Sequence, residues 1–268
     1  MRELDRLSPS SPAAAPSPAS TADVTAPDQV AIVGNGRLGN ALAGALRAAG
    51  VAVSGPLRRG ETPAGVDAVL LCVPDGEIRA AADAVPTGLA VGHCSGATGL
   101  EVLDGSGRDV FSLHPLMTVT SDPASTTFAG AGAAVAGSTP EMLALARALA
   151  ERLGMRPIEI APADRTAYHA TASIASNFLV TLEAAAERLA ATVGIERADL
   201  LPLVLATVEN WANLGGERAL TGPVARGDEQ TVAAQRQAIA ERTPDLLALF
   251  DTMVDATRAI ATAGALVR

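Results

Sequence analysis

The feature that most constrains the fold is a glycine-rich turn between an apolar strand and a helix. The strand is predicted at residues 30–33 and the helical run at 40–49, and the six residues between them read G-N-G-R-L-G. A G-x-G-x-x-G motif in this strand-to-helix context is typical of dinucleotide binding, although a structural turn in another α/β protein is the alternative. Its glycines permit a tight turn, leave room for a pyrophosphate and allow close helix packing, while helical N–H groups face the phosphates. We expect cofactor contacts from Gly34, Asn35, Gly36, Arg37, Leu38 and Gly39.

The segment after the first helix favours NADP over NAD. Residues 51–57 are predicted to form a second strand, which is followed by Arg58 and Arg59, and the next acidic residue is Glu61. NAD-specific folds usually place an acid about 20 residues beyond the glycines, whereas an arginine there accommodates a 2′-phosphate. The sequence therefore predicts NADP as the cofactor, with Arg58 and Arg59 on its phosphate. Two solvated loop arginines are the alternative.

Strands that alternate with helices indicate a doubly wound, Rossmann-like parallel sheet. Further strands are predicted at 67–73, 89–94, 109–113, 132–136 and 156–160. Ligands of such sheets bind beyond the carboxyl ends of the strands. We therefore expect Val73, Pro74 and Ser95 to contact the cofactor. His93 lies on the same side of its strand as Ser95 and is predicted to contact cofactor or substrate.

The chain divides into three segments by composition and periodicity. Residues 1–27 are rich in Ser, Pro and Ala and are predicted to be a disordered tail rather than a secretory signal. Residues 28–161 are expected to form the nucleotide-binding domain. Residues 162–268 are expected to be all-helical, with helical runs at 164–193, 197–214, 229–241 and 244–263, and with Trp211 in the core.

Composition excludes several classes of function. The net charge of −9 argues against binding to nucleic acid or to an anionic membrane surface, and no apolar run is long enough to span a membrane. The chain contains no lysine, which excludes Schiff-base chemistry and a lysine proton donor. Cys72 and Cys94 both lie in strand-like runs, so we expect buried free thiols and a reducing cytoplasm. His93 and Cys94 lack zinc-site spacing, and no metal is expected.

Histidine is the natural candidate for proton transfer, since its pKa lies near 7. His114 is the first choice because it ends a predicted strand at the ligand edge and precedes Pro115, although an ordinary structural histidine fits there equally well. His169 is eight residues before Asn177, about two turns, so the two are expected on one helix face. A polar pair in the helix core is the alternative for these two residues.

The loop at 221–228 offers an anion-binding arginine. Arg226 lies among Gly222, Pro223 and Gly227, and an arginine held in a rigid turn suits a substrate carboxylate or phosphate. The alternative is a helix-capping loop in which Asp228 begins the next helix.

Five motifs together resemble a family of Rossmann-like oxidoreductases whose C-terminal half is a domain of unknown function: G-N-G-R-L-G, H-C-S-G-A, S-L-H-P-L, Y-H-A-T with S-N-F, and L-T-G-P-V-A-R-G-D. The family is similar in plan to pyrroline-5-carboxylate reductase, ketopantoate reductase and the 6-phosphogluconate dehydrogenase group. The resemblance implies an NADP-binding half and a helical half that commonly dimerises. His114, His169, Asn177 and Arg226 are motif members to which the resemblance gives no roles. The absence of lysine excludes the lysine-assisted mechanism of the ketopantoate and hydroxyacid enzymes.

These observations predict an NADP-dependent oxidoreductase that transfers hydride to or from a small anionic keto acid or imine, a ketopantoate-like compound being admissible. His114 or His169 would act as the acid and Arg226 as the anion anchor. An NADP-binding sensor without turnover is the alternative, and hydride exchange with a deazaflavin is a third possibility. The sequence leaves the substrate, the reaction direction and the oligomeric state open, a homodimer through the C-terminal helices being compatible with it.

Overall fold

The computed structural model describes residues 27–104, 107–120, 122 and 126–266. The chain forms two compact units, the first ending at Ala170 and the second beginning at Thr171. The domain boundary predicted at residues 161/162 lies earlier in the chain than this division. The predicted tail at residues 1–27 lies outside the described residues, apart from Pro27.

The first unit is built on a mostly parallel sheet, as the alternating strands and helices predict. Within its described residues, seven strands pair in the order β2-β1-β3-β4-β5-β6-β7. All neighbouring pairs are parallel except β5 and β6, which are antiparallel. The strands are β1 (Gln29–Val33), β2 (Ala52–Leu57), β3 (Ala68–Leu71), β4 (Ala90–His93), β5 (Val110–Leu116), β6 (Gly132–Gly137) and β7 (Arg156–Glu159).

The antiparallel pair extends β5 beyond its predicted end. Strand β4 pairs with β5 only as far as Ser112, whereas β6 continues the pairing to Leu116. His114 therefore lies inside β5, opposite Ala134, and the expectation that the strand ends before His114 is wrong. The physical reason is that a second neighbour supplies backbone hydrogen bonds where the first one stops. Consequently a strand, and not a loop, holds the His114 backbone.

Helices cover both faces of the sheet because alternate strand residues point to opposite faces. Val30 and Ile32 of β1 belong to one buried cluster, together with Leu42 of α1 (Arg37–Ala48) and Leu149 of α3 (Pro140–Arg152). Ala31, Val69 and Leu71 belong to a second cluster with Ile78 of α2 (Ile78–Asp83). Each fully buried leucine or isoleucine stabilises the fold by about 1.5–3 kcal/mol. The predicted doubly wound architecture is confirmed.

The predicted helical run at 164–193 is continuous but changes its pitch. It comprises α4 (Arg165–Ala172), a π-helical segment (Ser173–Phe178) and α5 (Leu179–Ala191). The division between the two units falls within α4. A π-helical turn holds more residues than an α-helical one, so 3.6-residue spacing does not carry across the segment.

The second unit is helical throughout its described residues, as expected. Surface ion pairs link its helices, among them Arg188 with Asp245 and Arg236 with Asp251, both at 2.8 Å. After α5 the helices are α6 (Arg197–Leu214), α7 (Gly216–Ala219), α8 (Pro223–Arg226), α9 (Glu229–Arg242) and α10 (Leu247–Leu266).

Helix α6 is apolar yet exposed. It has no buried residue, and its Leu203 and Trp211 are 67% and 61% exposed. Trp211 is therefore not a core residue, and the prediction that placed it there is wrong. A helix that is apolar on most of its surface is normally covered by other protein.

Candidate active site

The glycine turn is clamped between two neighbouring strands. Gly34 has a φ of +111°, and a Cβ at this position would collide with the carbonyl oxygen of Cys72, just beyond β3. The Gly34 N–H donates to the carbonyl oxygen of Leu57 at the end of β2, at 2.8 Å. The Asn40 side chain donates to the carbonyl oxygens of Asn35 and Gly36 at 2.7 and 2.9 Å. The turn is thus held in one conformation that only glycine permits at position 34.

A cavity of about 570 Å³ opens beside this turn. A Cβ at Gly36 would have no atom within 4 Å, and Gly36 precedes the first turn of α1, whose N–H groups have no helical partner. Arg37 and Leu38 lie in that first turn but not in the cavity wall, and Leu38 packs against the core. Ser95 is likewise outside the wall. Predicted cofactor contacts that do line the cavity are Gly34, Asn35, Gly36, Arg58, Arg59, Val73 and Pro74.

The two arginines after β2 have different surroundings. The Arg59 guanidinium pairs with Glu77 at 2.6 Å. Glu61 accepts a hydrogen bond from the backbone N–H of Arg58, also at 2.6 Å, and so holds its backbone rather than its side chain. The Arg58 guanidinium is therefore better placed for a ligand phosphate than that of Arg59. The open space at Gly36 leaves the N-terminus of α1 accessible to a pyrophosphate, and Arg58 is available for a further phosphate. This combination fits a dinucleotide with an additional phosphate.

His93 holds the turn that follows β4. Its side chain is fully buried, its Nδ1 accepts from the Ser95 N–H at 3.2 Å, and its Nε2 donates to the Gly99 carbonyl oxygen at 3.2 Å. Burial, followed by the charge of Arg165, lowers the His93 pKa to about 4. Both ring nitrogens are bound to backbone and no surface is exposed. The expectation that His93 contacts cofactor or substrate is therefore wrong.

Ser95 joins two of the loops at the carboxyl edge of the sheet. Its hydroxyl donates to the Asp75 carboxylate at 2.8 Å and accepts from the Thr98 N–H at 2.9 Å. Asp75 opens a short 3₁₀ turn after Pro74. The bond joins the H-C-S-G-A-T segment to Asp75, whose neighbours Pro74 and Gly76 line the cavity. A cofactor contact from Ser95 stays a prediction, since its hydroxyl is already engaged.

His114 meets the start of α4 through Tyr168. Its Nδ1 lies 2.7 Å from the Tyr168 hydroxyl oxygen, with the two rings nearly perpendicular, and its ring centroid lies 6.5 Å from that of His169. A Cβ at Gly96 would lie 2.7 Å from Cε1 and 2.8 Å from Nε2 of His114. The glycine of the H-C-S-G-A motif therefore provides space for this imidazole.

The pKa of His114 departs from the value expected for a general acid. Burial foremost, then the charges of His169 and Arg165, lowers it to about 4. The expectation of a pKa near 7 is wrong for this histidine, because the tertiary structure removes it from water and surrounds it with cationic groups. At neutral pH its imidazole is uncharged.

Arg165 is the functional candidate that the sequence reasoning missed. It is 5% exposed and donates to the Ser95 carbonyl oxygen at 2.8 Å and to the Ser112 hydroxyl at 3.3 Å. Its Nε is buried without a hydrogen-bond partner among the described residues. The available signal was weak: an arginine three residues before Tyr168, and a serine inside the apolar strand β5.

Asn177 and Arg226 belong to the second unit. Asn177 is exposed within the π-helical segment, so the argument that placed it on one face with His169 no longer holds. Arg226 is exposed at the end of α8, where Gly227 adopts the left-handed conformation. Asp228 caps α9 by accepting from the Thr231 N–H at 3.1 Å, so the capping alternative for this loop is confirmed. It leaves the Arg226 side chain open to a binding role.

The part of the chain that the structure describes contains neither a metal-binding cluster nor a membrane-spanning helix. No three or more His, Cys, Asp or Glu side chains in it converge so that they could hold a metal ion. Its helices lack the combination of length and hydropathy that crossing a bilayer requires.

Part of the chain is similar to a known protein family. Residues 132–257 match the family described as a domain of unknown function, DUF2520. The matched residues begin at β6 and include three of the four predicted catalytic residues, namely His169, Asn177 and Arg226. No curated protein matches the chain.

Solved structures share the whole architecture. A candidate NADP oxidoreductase from Bacteroides fragilis, BF3122, has a TM-score of 0.74 at 18% identity, over 87% of this chain and 98% of that chain. Protein TM1727 from Thermotoga maritima has a TM-score of 0.69 at 25% identity, with the same coverage. Pyrroline carboxylate reductase from Plasmodium falciparum, solved with NADP bound, has a TM-score of 0.55 at 11% identity, over 87% of this chain and 99% of that chain. The chain therefore has the fold of NADP-dependent reductases, a Rossmann-like domain followed by a helical domain.

The depressed histidine pKa values predict acid sensitivity. Because His93 binds a proton at about pH 4 when folded and at about pH 6.5 when unfolded, the unfolded state binds more protons between these values. We expect the free energy of unfolding to be independent of this group above pH 6.5 and to fall as the pH drops from 6.5 to 4, by roughly 3 kcal/mol at most. Urea unfolding across this range measures the slope.

The variant His93→Asn isolates this contribution. The Asn oxygen retains an acceptor for the Ser95 N–H but does not titrate, so the variant should lose a large part of the slope. The comparison uses slopes and not absolute stability, because the substitution also changes packing. Equal slopes in the two proteins would contradict the assignment.

Proposed function

We propose that this protein is an NADP-dependent oxidoreductase that transfers hydride between the nicotinamide and a small anionic keto acid or imine. The observation that carries the proposal is the arrangement along one edge of the sheet in the first unit. The cavity at Gly34–Gly36 is also lined by Pro74 and Gly76, and Asp75 between them accepts a hydrogen bond from Ser95. The Ser95 carbonyl oxygen in turn accepts from Arg165, one helical turn before Tyr168. Similarity to reductases of the same fold supports the assignment.

The chain's own residues would hold the cofactor at the glycine turn. The N–H groups of the first turn of α1 would bind the pyrophosphate, and Arg58 would bind the 2′-phosphate. Asn35, Val73 and Pro74 would line the remaining wall. Bound NADP(H) would supply or accept the hydride, which no side chain can do.

The proton would come from the histidine cluster. His114 and His169 are adjacent, and Tyr168 contacts the first of them. We assign Arg226 to the anionic group of the substrate and Asn177 to a polar substrate contact, because both belong to the motifs of the helical half. A nucleotide sensor would have no need for two histidines and a tyrosine beside its cofactor, which favours an enzyme.

We also propose a homodimer formed by the second unit. Among the described residues, every large apolar side chain that is well exposed lies between Ile174 and Ile260. Monomeric proteins rarely leave so many apolar side chains uncovered. A second copy of this chain would bury Leu203 and Trp211 of α6. Cys72 and Cys94 are free thiols, which favours a cytoplasmic location.

Cofactor choice provides the first prediction of this proposal. We expect NADPH to bind more tightly than NADH, and Arg58→Ala to weaken NADPH binding about tenfold or more while changing NADH binding little, because a charged hydrogen bond contributes about 1.5–3 kcal/mol. Isothermal titration calorimetry measures both. Arg59→Ala is the matched control, with a smaller expected effect because Glu77 shares that guanidinium. An equal loss for both nucleotides would refute the role of Arg58.

Turnover provides the second prediction. NADPH oxidation is followed across a panel of small keto acids and imines, with His114→Gln, His169→Gln and Arg226→Ala. We expect loss of a proton donor to lower kcat by about 10²–10⁴, and loss of Arg226 to raise KM. Unchanged turnover in all three variants would remove the site assignment. Tight NADPH binding with no oxidation anywhere in the panel would favour the sensor.

Sedimentation tests the dimer. Leu203→Glu together with Leu205→Glu places two charges on α6, where the side chains are 67% and 60% exposed. We expect the wild type to sediment as a dimer and the variant as a folded monomer, because an apolar interface tolerates unpaired charges poorly. Circular dichroism verifies that the variant remains helical. A monomeric wild type would exclude the proposed dimer.

A further inference from the structure

The contact between Tyr168 and His114 suggests a role beyond that of a single histidine acid. Tyr168 lies on α4 and His114 on β5, and their polar atoms are 2.7 Å apart. The chain contains one tyrosine. The hydroxyl of a half-buried phenol usually has a hydrogen-bond partner, and here that partner is the imidazole.

The chemistry of the two groups determines the direction of this hydrogen bond. A phenolic O–H is a stronger donor than the N–H of a neutral imidazole, and an unprotonated imidazole nitrogen is a stronger acceptor than a phenol oxygen. The Tyr168 hydroxyl therefore donates its hydrogen to His114 Nδ1. The imidazole then carries its own hydrogen on Nε2.

A neutral imidazole cannot act as an acid unaided. With its pKa lowered to about 4, His114 is uncharged at pH 7. Release of the Nε2 hydrogen alone would produce an imidazolate, which is far too basic to form. Release becomes feasible when Nδ1 receives a proton in the same step, and the Tyr168 hydroxyl is the group that lies on Nδ1.

Arg165 compensates the charge that such a step would create. It lies one helical turn before Tyr168 on α4, 5% exposed and anchored to Ser95 and Ser112. Its charge lowers the pKa of Tyr168, against the larger opposing effect of burial. Burial of a guanidinium without a partner of opposite charge is unfavourable. A phenolate at Tyr168 would supply such a charge.

We propose that Tyr168 is the source of the transferred proton, that His114 relays it, and that Arg165 stabilises the resulting phenolate. This inference rests on the proposed function. The O–H bond of Tyr168 breaks as a bond to His114 Nδ1 forms, and the Nε2–H bond breaks as a bond to the substrate oxygen or nitrogen forms. That substrate atom receives the proton on the electron pair released when hydride reaches the neighbouring carbon. Afterwards Nδ1 returns its proton to the phenolate and Nε2 takes one from water. Tyr168 acts through His114, so it supplies the proton without touching the substrate.

The first test needs no substrate. Nitrogen NMR of full-length protein labelled with ¹⁵N-histidine distinguishes a protonated Nε2 from a protonated Nδ1, with His114→Gln to assign the resonances. We expect His114 to carry its hydrogen on Nε2 at pH 7, and Tyr168→Phe, which removes only the hydroxyl, to abolish this preference. His114 protonated on Nδ1 in the wild type, or the same tautomer in Tyr168→Phe, would overturn the relay whether or not the protein turns over.

The second test uses a substrate from the panel above. Because Tyr168 is the only tyrosine, incorporation of 3-fluorotyrosine makes this one phenol more acidic. We expect the alkaline limb of the kcat profile to move to lower pH, and Tyr168→Phe to lower kcat at least tenfold with KM nearly unchanged. His114→Gln combined with Tyr168→Phe should lose no more than His114→Gln alone. Additive losses or an unmoved alkaline limb would refute the relay and leave the proposed reductase intact. A correct tautomer without turnover on the panel would count against the reductase and not against the geometry.

Discussion

The arrangement of the candidate site depends on one buried cation. The Arg165 guanidinium crosses from the start of α4 to the carbonyl oxygen of Ser95 and the hydroxyl of Ser112. It thereby attaches α4 to the segment that follows β4 and to the interior of β5. Because Tyr168 and His169 follow on the same helix, this anchor brings them to His114. Its charge also disfavours protonation of His93 and His114, and so the group that fixes the geometry contributes to their electrostatics.

Hydrogen bonds from polar side chains fix positions at the sheet edge in a protein whose core has few aromatic side chains. Aromatic residues make up 2% of the chain, and the two buried clusters on the sheet are mostly aliphatic. Position at the sheet edge is therefore fixed by directional bonds: His93 to the backbone of its own turn, and Ser95 to Asp75. Both ring nitrogens of the buried His93 are hydrogen-bonded, which is the condition under which buried polar groups rigidify a structure. The edge is consequently held by hydrogen bonds within the chain itself.

The two units differ in the features that they contain. The first contains the glycine turn, the cavity and the histidine–tyrosine contact, all at the carboxyl edge of the sheet, where doubly wound folds bind their ligands. All the well-exposed large apolar side chains of the described residues belong to the second unit, which suits the proposed association with another copy. The π-helical segment, Ser173–Phe178, lies just beyond the division between the two units. Such segments are frequent at functional sites, and this one changes the spacing that sequence periodicity assumes.

Much of the first unit could be predicted from local sequence. Gly34–Gly39, the alternation of strands with helices and the change to helices after residue 162 are set by turn chemistry and hydrophobic periodicity, which act over a few residues. The extension of β5 through His114 could not, because it depends on hydrogen bonds from β6. Nor could the exposure of Trp211 be predicted, because an apolar residue in an apolar helix looks the same whether it is covered by its own chain or by another.

In the candidate site, too, some features follow from the local sequence and others only from the tertiary structure. The sequence by itself determined the residue types available: three histidines, one tyrosine, no lysine and a glycine turn suited to phosphate. The tertiary structure alone decided which of them meet, since Arg165 contacts residues 53 and 70 positions away and Tyr168 contacts one 54 positions away. It also decided their protonation, because burial and neighbouring charge move the pKa of His93 and His114 to about 4. Neither burial nor neighbouring charge can be read from a linear sequence, for both arise only when distant segments exclude water from the same place.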